Sequence, residues 1–462
     1  MSRFIPMMVI VTLLMSTAVP AQQVRVLTLE ETVALALQQN PEIRSAEQEV
    51  KKAQAAVWQA YSTILPQING SAAVQHAWDI QTNTIPNFLK PMLGPLADLI
   101  PEISMMPDYV QLSFGLENTF QYGLNLTQPL FLGGAGVASI HMASAGREAA
   151  QQQYTAIKQN LIYRSSEAFY QVLLAEELVR VQEKALDQAQ VNLDVVSKKY
   201  DVGIASGFDK MRAEVEVANL KPRVITSRNN YQSALTQLRT LLALPKETQV
   251  QVNGRLDFTP DSLLNASLPE LHEKALQHRP EYAALLQQKR ISQGSIALAR
   301  SNYMPKIVFV TDYSFLAMRN DFDLRQDDFS KGFTSAISLQ MPLFSGFKNT
   351  KTYQTAKLNH QIMLNTEQQL RDGIHAQVEV AYNKLKETAQ NYQSTSESVT
   401  LAEEALRLAN LMYEEGVSTQ LDVLNANLAL TQARLNHISS LFEYQMARYQ
   451  LRKMIGDLSG IL

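Results

Sequence analysis

Residues 200–209 read YDVGIASGFD and residues 413–422 read YEEGVSTQLD, which are two versions of one stretch separated by 413 − 200 = 213 residues. In each version a glycine follows the tyrosine by three positions, and an aspartate follows the glycine by six. Glycine favours the left-handed conformation that ends helices, and an acidic side chain is favoured in the first turn of the next helix. The two stretches therefore predict two helical hairpins with sharp turns.

The repetition extends over most of the chain and is its strongest sequence feature. Prolines punctuate one segment of the first copy, between Pro66 and Pro129, which predicts a surface loop there. This segment holds about 26 extra residues, because the offset between the copies changes from 239 to 213 across it, and 239 − 213 = 26. The offsets relate Asn40-Pro41 to Arg279-Pro280 (239 residues) and Pro129-Leu130-Phe131 to Pro342-Leu343-Phe344 (213 residues).

The repetition divides the chain into a first repeat at residues 22–244, a linker at 245–266 and a second repeat at 267–462. Each repeat opens with a hydroxyl three residues before a glutamate, as a capping box requires. The order predicted for each repeat is a helix, two strands, a long helix, a sharp turn and a return helix. The capping pairs are Thr28 with Glu31, and Ser267 with Glu270.

The composition excludes several function classes. There are 41 Lys and Arg against 44 Asp and Glu, a net charge of 41 − 44 = −3, so the basic excess of nucleic-acid-binding proteins is absent. The lack of cysteine excludes disulfides and Cys-ligated zinc. The histidines are scattered, and the Gly-rich residues 132–136 lack the Lys-Ser/Thr of a phosphate loop. These patterns predict no enzyme activity, no cofactor and no metal site.

Residues 1–21 predict a signal peptide for export. Arg3 supplies a positive start and Met7–Met15 an apolar run, followed by the small-residue exit Val19-Pro20-Ala21. The apolar run is too short to span about 30 Å of hydrocarbon, which argues against a membrane anchor.

Alternation of apolar and polar residues predicts strands near 120–127 and 333–340, with weaker partners at 68–78 and 307–315. Strands about ten residues long with aromatic ends are typical of outer-membrane barrels, although a half-buried soluble sheet has the same alternation. Four strands per chain are too few for a membrane barrel, which needs about eight, and open sheet edges are costly in lipid. Membrane-embedded strands would therefore require two or three copies of the chain.

The long helices predicted near 138–200 and in the second repeat have a coiled-coil repeat. Apolar and small residues recur every 3.5 positions from Ala168 to Tyr200 and from Ala381 to Tyr413, which predicts a left-handed coiled coil. A helix over 138–200 would be roughly 95 Å long at 1.5 Å per residue. That length can cross a gap the size of the periplasm.

These features together resemble the TolC-like outer membrane efflux protein family over essentially the whole mature chain. The resemblance rests on the duplicated order of its pieces: Leu27-Thr28-Leu29-Glu30-Glu31, Ala34-Leu35-Ala36-Leu37, Asn40-Pro41, the two Pro-Leu-Phe segments and the two turns. It implies a mainly α fold with a small β part, in which long coiled-coil hairpins and four strands per chain build a trimer with a twelve-stranded barrel and an α-helical tunnel. The linker would lie in the equatorial region of that tunnel.

The resemblance also implies location, partners and function. The barrel would lie in the lipid of the outer membrane and the helices in the periplasm. The homotrimer would dock with a periplasmic adaptor and an inner-membrane pump, as the passive duct of a tripartite efflux or type I secretion system, with no nucleic acid involved. A soluble periplasmic coiled-coil scaffold without a pore is the alternative.

At the two turns, the resemblance implies a periplasmic gate and a docking tip. Asp209 and Tyr413 match residues of a hydrogen-bonded gate network, and Asp422 matches an acidic ring at the constriction. Ser418 replaces an arginine and Asn425 a second acidic residue, which implies a weaker latch and a less charged ring. The simpler interpretation, in which the glycines end helices and the aspartates begin them, is compatible with these roles. The adaptor-docking tip would comprise Val202, Gly203, Ile204, Glu415, Gly416 and Val417.

Overall fold

The computed structural model describes residues 24–96, 98–113 and 115–458, so the predicted signal peptide lies outside the described residues. The chain forms two compact units. The helical unit comprises Met1–Lys51, Ala149–Leu286 and Thr366–Leu462, as far as these are described, and the strand unit comprises Lys52–Glu148 and Gln287–Asn365. Within the described ranges, no helix contains an apolar window long enough to cross a bilayer.

Apart from an insertion in the first repeat, the elements follow the same order in the two repeats. Those of the first repeat are β1 (Val24–Leu27), α1 (Leu29–Gln39), α2 (Pro41–Ser62), β2 (Gln67–His76), β3 (Thr82–Pro86), α3 (Leu89–Leu93), β4 (Tyr109–Ser113), β5 (Asn118–Phe131), α4 (Ala135–Asp201) and α5 (Gly207–Leu241). Then come β6 (Gln249–Val252) in the linker, and α6 (Leu268–His278), α7 (Pro280–Ser301), β7 (Lys306–Arg319), β8 (Ser330–Gln340), α8 (Lys348–Glu414) and α9 (Gln420–Met454). The helix α4 has 67 residues, roughly 100 Å at 1.5 Å each.

The first helical segment of each repeat is broken where one continuous helix was predicted. Asn40 has an extended backbone (φ −64°, ψ 130°) between α1 and α2, so the prediction of a single opening helix in the repeat is wrong. Proline disfavours the helical conformation of the residue before it. Pro41 therefore keeps Asn40 out of the helical conformation, and α1 ends at Gln39. The Asn40 side chain caps the break, since its Oδ1 accepts from the Glu42 N–H (2.8 Å) and its Nδ2 donates to the Leu241 carbonyl (3.0 Å).

The coiled-coil repeat packs each long helix against its own return helix, as predicted. Near the turn, the first hairpin buries an apolar cluster of Ala189, Val217 and Leu220 beside Ala185, Leu186 and Leu193. The second hairpin repeats it with Leu406, Val423 and Leu430 beside Ala402, Ala409, Tyr413 and Ala426.

Within the helical unit, the linker is held on α9 by a buried polar cluster. The Tyr444 hydroxyl donates to the Thr259 carbonyl (2.9 Å) and accepts from the Asp261 N–H (3.1 Å). The Asp261 side chain is only 1% exposed, and its carboxylate pairs with Arg448 (3.1 Å) and Arg452 (3.0 Å). A large apolar core that includes Tyr444, Leu385 and Leu451 surrounds this cluster.

The strand unit contains a four-stranded antiparallel sheet in the order β2-β5-β7-β8, which confirms the four predicted strands. The central pair β5 and β7 joins the two repeats, and β2 and β8 are the edges. Successive residues point to opposite faces, so the register separates apolar from polar rows. One face has the row Gly70, Leu124, Tyr313, Phe333, and the adjacent row on the other face is Asn69, Asn125, Asp312, Thr334.

The proline-punctuated insertion of the first repeat is more ordered than the surface loop predicted for it. The strands β3 and β4 pair antiparallel, and the short helix α3 lies between them in sequence. The Asn87 N–H donates to the Asp108 carbonyl (2.8 Å), and Lys90 forms an ion pair with Asp108 (2.8 Å). The prolines did not mark a loop throughout, since Pro86 lies in β3 and Pro91 in α3, and the cross-strand pairing between Thr82–Pro86 and Tyr109–Ser113 could not be recognised from composition.

Candidate functional site at the hairpin turns

Both hairpin turns close with the same backbone motif. Gly203 (φ 76°) and Gly416 (φ 75°) adopt the left-handed conformation, as the sequence predicted. The next residue then bonds back to the last turn of the long helix: the Ile204 N–H donates to the Lys199 carbonyl, and the Val417 N–H donates to the Met412 carbonyl, both at 2.8 Å. This six-residue closure is the Schellman motif, which satisfies carbonyl groups that a helix end leaves free.

Both return helices start with a capping box that uses the predicted aspartate. The Asp209 N–H donates to Ser206 Oγ (3.1 Å), whose hydroxyl donates to the Asp209 carboxylate (2.6 Å). Asp422 accepts in the same way from the Thr419 hydroxyl (2.7 Å) and N–H (2.8 Å). These bonds to the Thr419 hydroxyl and N–H lower the pKa of Asp422, since they stabilise the charged form. Each aspartate therefore has a structural role as well as a negative charge.

The residues predicted as the docking tip form two exposed apolar turns. Val202 is 69% exposed, Ile204 75% and Val417 72%. The neighbouring Gly203, Glu415 and Gly416 are also exposed, and a Cβ added to either glycine would meet no atom within 4 Å. Exposed apolar side chains grouped at one end of a protein mark interaction surfaces.

The predicted gate residues divide into two groups. Tyr413 and Asp209 belong to different hairpins. Burial raises the pKa of the Tyr413 hydroxyl, and the negative charge of Asp209 raises it further. The Ser418 hydroxyl instead donates within its own hairpin, to the Ala409 carbonyl (3.4 Å). Asn425 is exposed on α9. The structure thus associates Tyr413 with the first hairpin and leaves Ser418 in the second.

Two further residues at the turns, Lys199 and Gln420, were not predicted as site residues from the sequence. The Lys199 ammonium lies 3.9 Å from the centroid of the Tyr413 ring and donates to the Tyr413 carbonyl at 3.2 Å. Gln420 is only 3% exposed, and neither atom of its side-chain amide has a hydrogen-bond partner in the protein. Lys199 lies 214 positions from its partner, so no local pattern could relate the two.

The histidines, which looked scattered in the sequence, include one stacked pair in the helical unit. The rings of His272 and His375 lie 4.4 Å apart at an interplanar angle of 7°. Across the described ranges, no group of three or more His, Cys, Asp or Glu side chains is arranged to hold a metal ion.

Relatives of this chain include export proteins of several bacteria. It is 25% identical over 332 residues to the cobalt-zinc-cadmium resistance protein CzcC of Cupriavidus metallidurans, covering 71% of this chain and 75% of CzcC. It is 22% identical over 412 residues to the outer membrane protein TolC of Escherichia coli, covering 85% and 80%. With the alkaline protease secretion protein AprF of Pseudomonas aeruginosa it shares 25% identity over 344 residues, covering 72% and 69%.

The fold has solved counterparts. The CmeC outer membrane channel of Campylobacter jejuni superimposes with a TM-score of 0.76 at 18% identity, over 93% of this chain and 85% of CmeC. The characteristic sequence pattern of the outer membrane efflux protein family matches residues 32–244 and 271–457, nearly all of both repeats. The duplicated hairpins, the four-stranded sheet and this match agree, and the chain belongs to the outer membrane efflux protein family.

Proposed function

We propose that three copies of this chain form the outer-membrane duct of a tripartite efflux or type I secretion system. Each copy would contribute four strands to a twelve-stranded barrel and two hairpins to an α-helical tunnel in the periplasm. With two repeats in each of three copies, each repeat (22–244 or 267–462) would form one sixth of the tunnel. The linker 245–266 would join the two repeats of one copy. The chain would act as a passive conduit and not as an enzyme.

The sheet of the strand unit is the observation that supports this proposal most. Its apolar face exposes side chains that a water-soluble protein would bury, namely Ile68, Val74, Tyr122, Leu124, Tyr313, Phe333, Ile337 and Leu339, each at least 40% exposed. Its opposite face is mostly polar. Both edges, β2 and β8, would need partners in lipid, where unpaired backbone groups are costly. Pairing β8 of one copy with β2 of the next closes the sheet without a free edge.

The relatives favour export but span two kinds of cargo. CzcC is named for resistance to cobalt, zinc and cadmium, and AprF for secretion of alkaline protease. Relatives of one fold that serve metal resistance and protease secretion would differ in their partners more than in a binding pocket of the duct. We therefore propose an adaptor and an inner-membrane pump as partners.

The lipid-facing role of the sheet can be tested at two adjacent positions of β5. Leu124→Arg is expected to prevent stable insertion, because an arginine on the lipid face of a barrel costs about 2–4 kcal/mol per copy near the bilayer centre. The matched change Asn125→Arg puts the same side chain on the polar face and should be tolerated. The measurement is the amount of heat-modifiable oligomer in purified outer membranes. Equal yields for the two variants would contradict the assignment of faces.

The turns would form the periplasmic end of the duct, where the exposed Val202, Ile204 and Val417 contact the adaptor and the return helices constrict the pore. Asp209, Tyr413, Ser418, Asp422 and Asn425 would be the gate residues. With Ser418 bonded inside its own hairpin, closure would not use a salt bridge at that position. Three copies of Asp422 would form a negatively charged ring, which favours cations.

The charge of the proposed ring can be removed without removing the cap. In Asp422→Asn, the amide oxygen can still accept from the Thr419 N–H, so the return helix should still begin normally. We expect the ratio of cation to anion permeability in planar bilayers to fall severalfold. Because the pKa of Asp422 is lowered, the wild-type preference should persist on acidification to about pH 5, above the ordinary aspartate value of about 3.9. Unchanged permeability in the variant would remove Asp422 from the ring.

A further inference from the structure

The contact between Lys199 and Tyr413 joins two hairpins, each of which closes and packs near its turn without residues of the other. Each turn closes through its own glycine and its own capping box. The buried apolar cluster nearest each turn contains residues of one hairpin only. Lys199 belongs to the last turn of α4 in the first hairpin, and Tyr413 to the last turn of α8 in the second. The contact is therefore a link between two separately packed bodies.

The surface between the two hairpins encloses a cavity with a mixed polar and apolar lining. A cavity of about 230 Å³ lies there, with side chains from both hairpins in its wall. Charged and polar residues contribute much of this wall, among them Lys184, Glu216, Arg223, Asn427 and Arg434. The cavity and these polar side chains interrupt the apolar contact between the hairpins, so a polar contact at the turns contributes to holding the hairpins together.

The chemistry of the contact suits a reversible clamp. An ammonium over an aromatic face is attracted by the ring quadrupole, and the same ammonium donates a charge-assisted hydrogen bond to the Tyr413 carbonyl. Both attractions depend on the lysine charge. Neither uses the tyrosine hydroxyl, so they are separable by mutation from any bond that this hydroxyl makes with Asp209.

We propose that Lys199 is a positioning residue of the gate, which holds the turn of the second hairpin against the first hairpin in the resting protomer through the ring and carbonyl of Tyr413. This inference rests on the proposed function, since it describes how the duct is kept closed. Opening then includes loss of the contact and a displacement of the second turn.

The buried Gln420 indicates why the clamped arrangement can be released. A buried amide without hydrogen-bond partners is unfavourable, and Gln420 is the first residue of α9, directly after the second turn. A displacement of the turn that admits water to this amide recovers the lost hydrogen bonds. The clamp and the buried amide therefore oppose each other, which leaves the two arrangements close in free energy.

The test uses Gln420→Cys as a reporter, because the chain has no cysteine and the buried position should react slowly with a maleimide. The reporter also removes the buried amide, so all variants are compared within the Gln420→Cys background. In the purified, detergent-solubilised protein, adding Lys199→Met is expected to speed labelling roughly tenfold, since a partly buried cation–π contact is worth about a tenfold change in an equilibrium. Tyr413→Leu should have a similar effect. Tyr413→Phe keeps both the ring and the carbonyl, and should label slowly. Single-channel conductance in planar bilayers should rise in the fast-labelling variants.

Lys198→Met is the matched control, because it removes one positive charge from an exposed lysine in the same helical turn. Labelling that is equally slow in Lys199→Met and Lys198→Met, or equally fast in both, would overturn the clamp. Fast labelling with Tyr413→Phe would assign the effect to the hydroxyl and would overturn it as well. If the protein forms no pore, the proposed function fails while the labelling result still stands. If pores form and labelling is insensitive to Lys199, only the clamp fails.

Discussion

Substitution of Asp261 by asparagine is expected to lower the free energy of unfolding by about 3 kcal/mol, because it leaves two arginines in a buried site without their counter-charge. The Asp261 side chain is 1% exposed, whereas those of Arg448 and Arg452 are 22% and 23% exposed. Asparagine has nearly the same shape, so the loss reports the charge and not a cavity. Denaturant unfolding in detergent, followed by the helical circular dichroism signal, measures the difference.

The ion pairs of Asp261 with the two arginines also predict how the stability difference between wild type and Asp261→Asn depends on pH. Burial by itself raises the pKa of Asp261, but the Leu263 N–H, Arg448 and Arg452 together outweigh it, and the net pKa is lowered. A carboxyl group with a lowered folded-state pKa stabilises the protein above its unfolded value of about 3.9, and this stabilisation is lost as the pH falls through the folded value. Wild type and Asp261→Asn should therefore differ most near pH 7 and converge in acid.

A control for this experiment lies in the same linker. Asp257 is exposed, so Asp257→Asn removes an equal charge and should change the free energy of unfolding by less than about 0.5 kcal/mol. If the two variants were equally stable, the ion pairs of Asp261 would contribute nothing to holding the linker on α9.

Substitution of Gly456 by alanine is expected to destabilise the helical unit by about 3 kcal/mol, from backbone strain and a steric clash together. Gly456 follows the end of α9 with φ 74°, and a Cβ there would lie 2.7 Å from the backbone carbon and oxygen of His278. Neither atom can rotate away. The preceding residue Ile455 and, two positions after the glycine, Leu458 are fully buried, so the chain has little freedom to shift.

Gly416→Ala separates the two contributions, since Gly416 has nearly the same φ of 75° but no atom within 4 Å of an added Cβ. This variant should cost only the backbone strain, about 1–2 kcal/mol. The first repeat offers a natural comparison, because Ala243 occupies the position equivalent to Gly456 with φ 52°. If Gly456→Ala and Gly416→Ala gave the same unfolding curve, the steric clash with His278 would add nothing to the cost of backbone strain.

Local patterns predicted the parts of the fold that depend on neighbouring residues in the chain. The glycines at 203 and 416 were recognised because only a left-handed residue ends a helix in that way, and both have positive φ. The 3.5-residue repeat predicted which side chains pack inside each hairpin. Because the chain is duplicated, each pattern occurs twice. The strands at 68–78 and 307–315 were therefore predicted although the alternation in each of them is weak.

Contacts between distant segments could not be predicted in this way. The residue pattern around Lys199, Asp261 and Gly456 is ordinary for a helix end or a linker, and each acquires its importance from a partner in another segment. The insertion of the first repeat shows the same limit, because its prolines predicted only a surface loop while the pairing of β3 with β4 depends on two segments more than twenty residues apart.

The sequence by itself determined the duplicated hairpins, their turns and the alternating strands, because helix capping, glycine conformation and side-chain periodicity act over a few residues. Only the tertiary structure decided that β5 of one repeat pairs with β7 of the other, that Asp261 meets two arginines of α9, and that Lys199 lies on the ring of Tyr413. These contacts join residues 176 or more positions apart (307 − 131 = 176 for Phe131 and Ile307), where the order of residues imposes no geometry until the chain has folded.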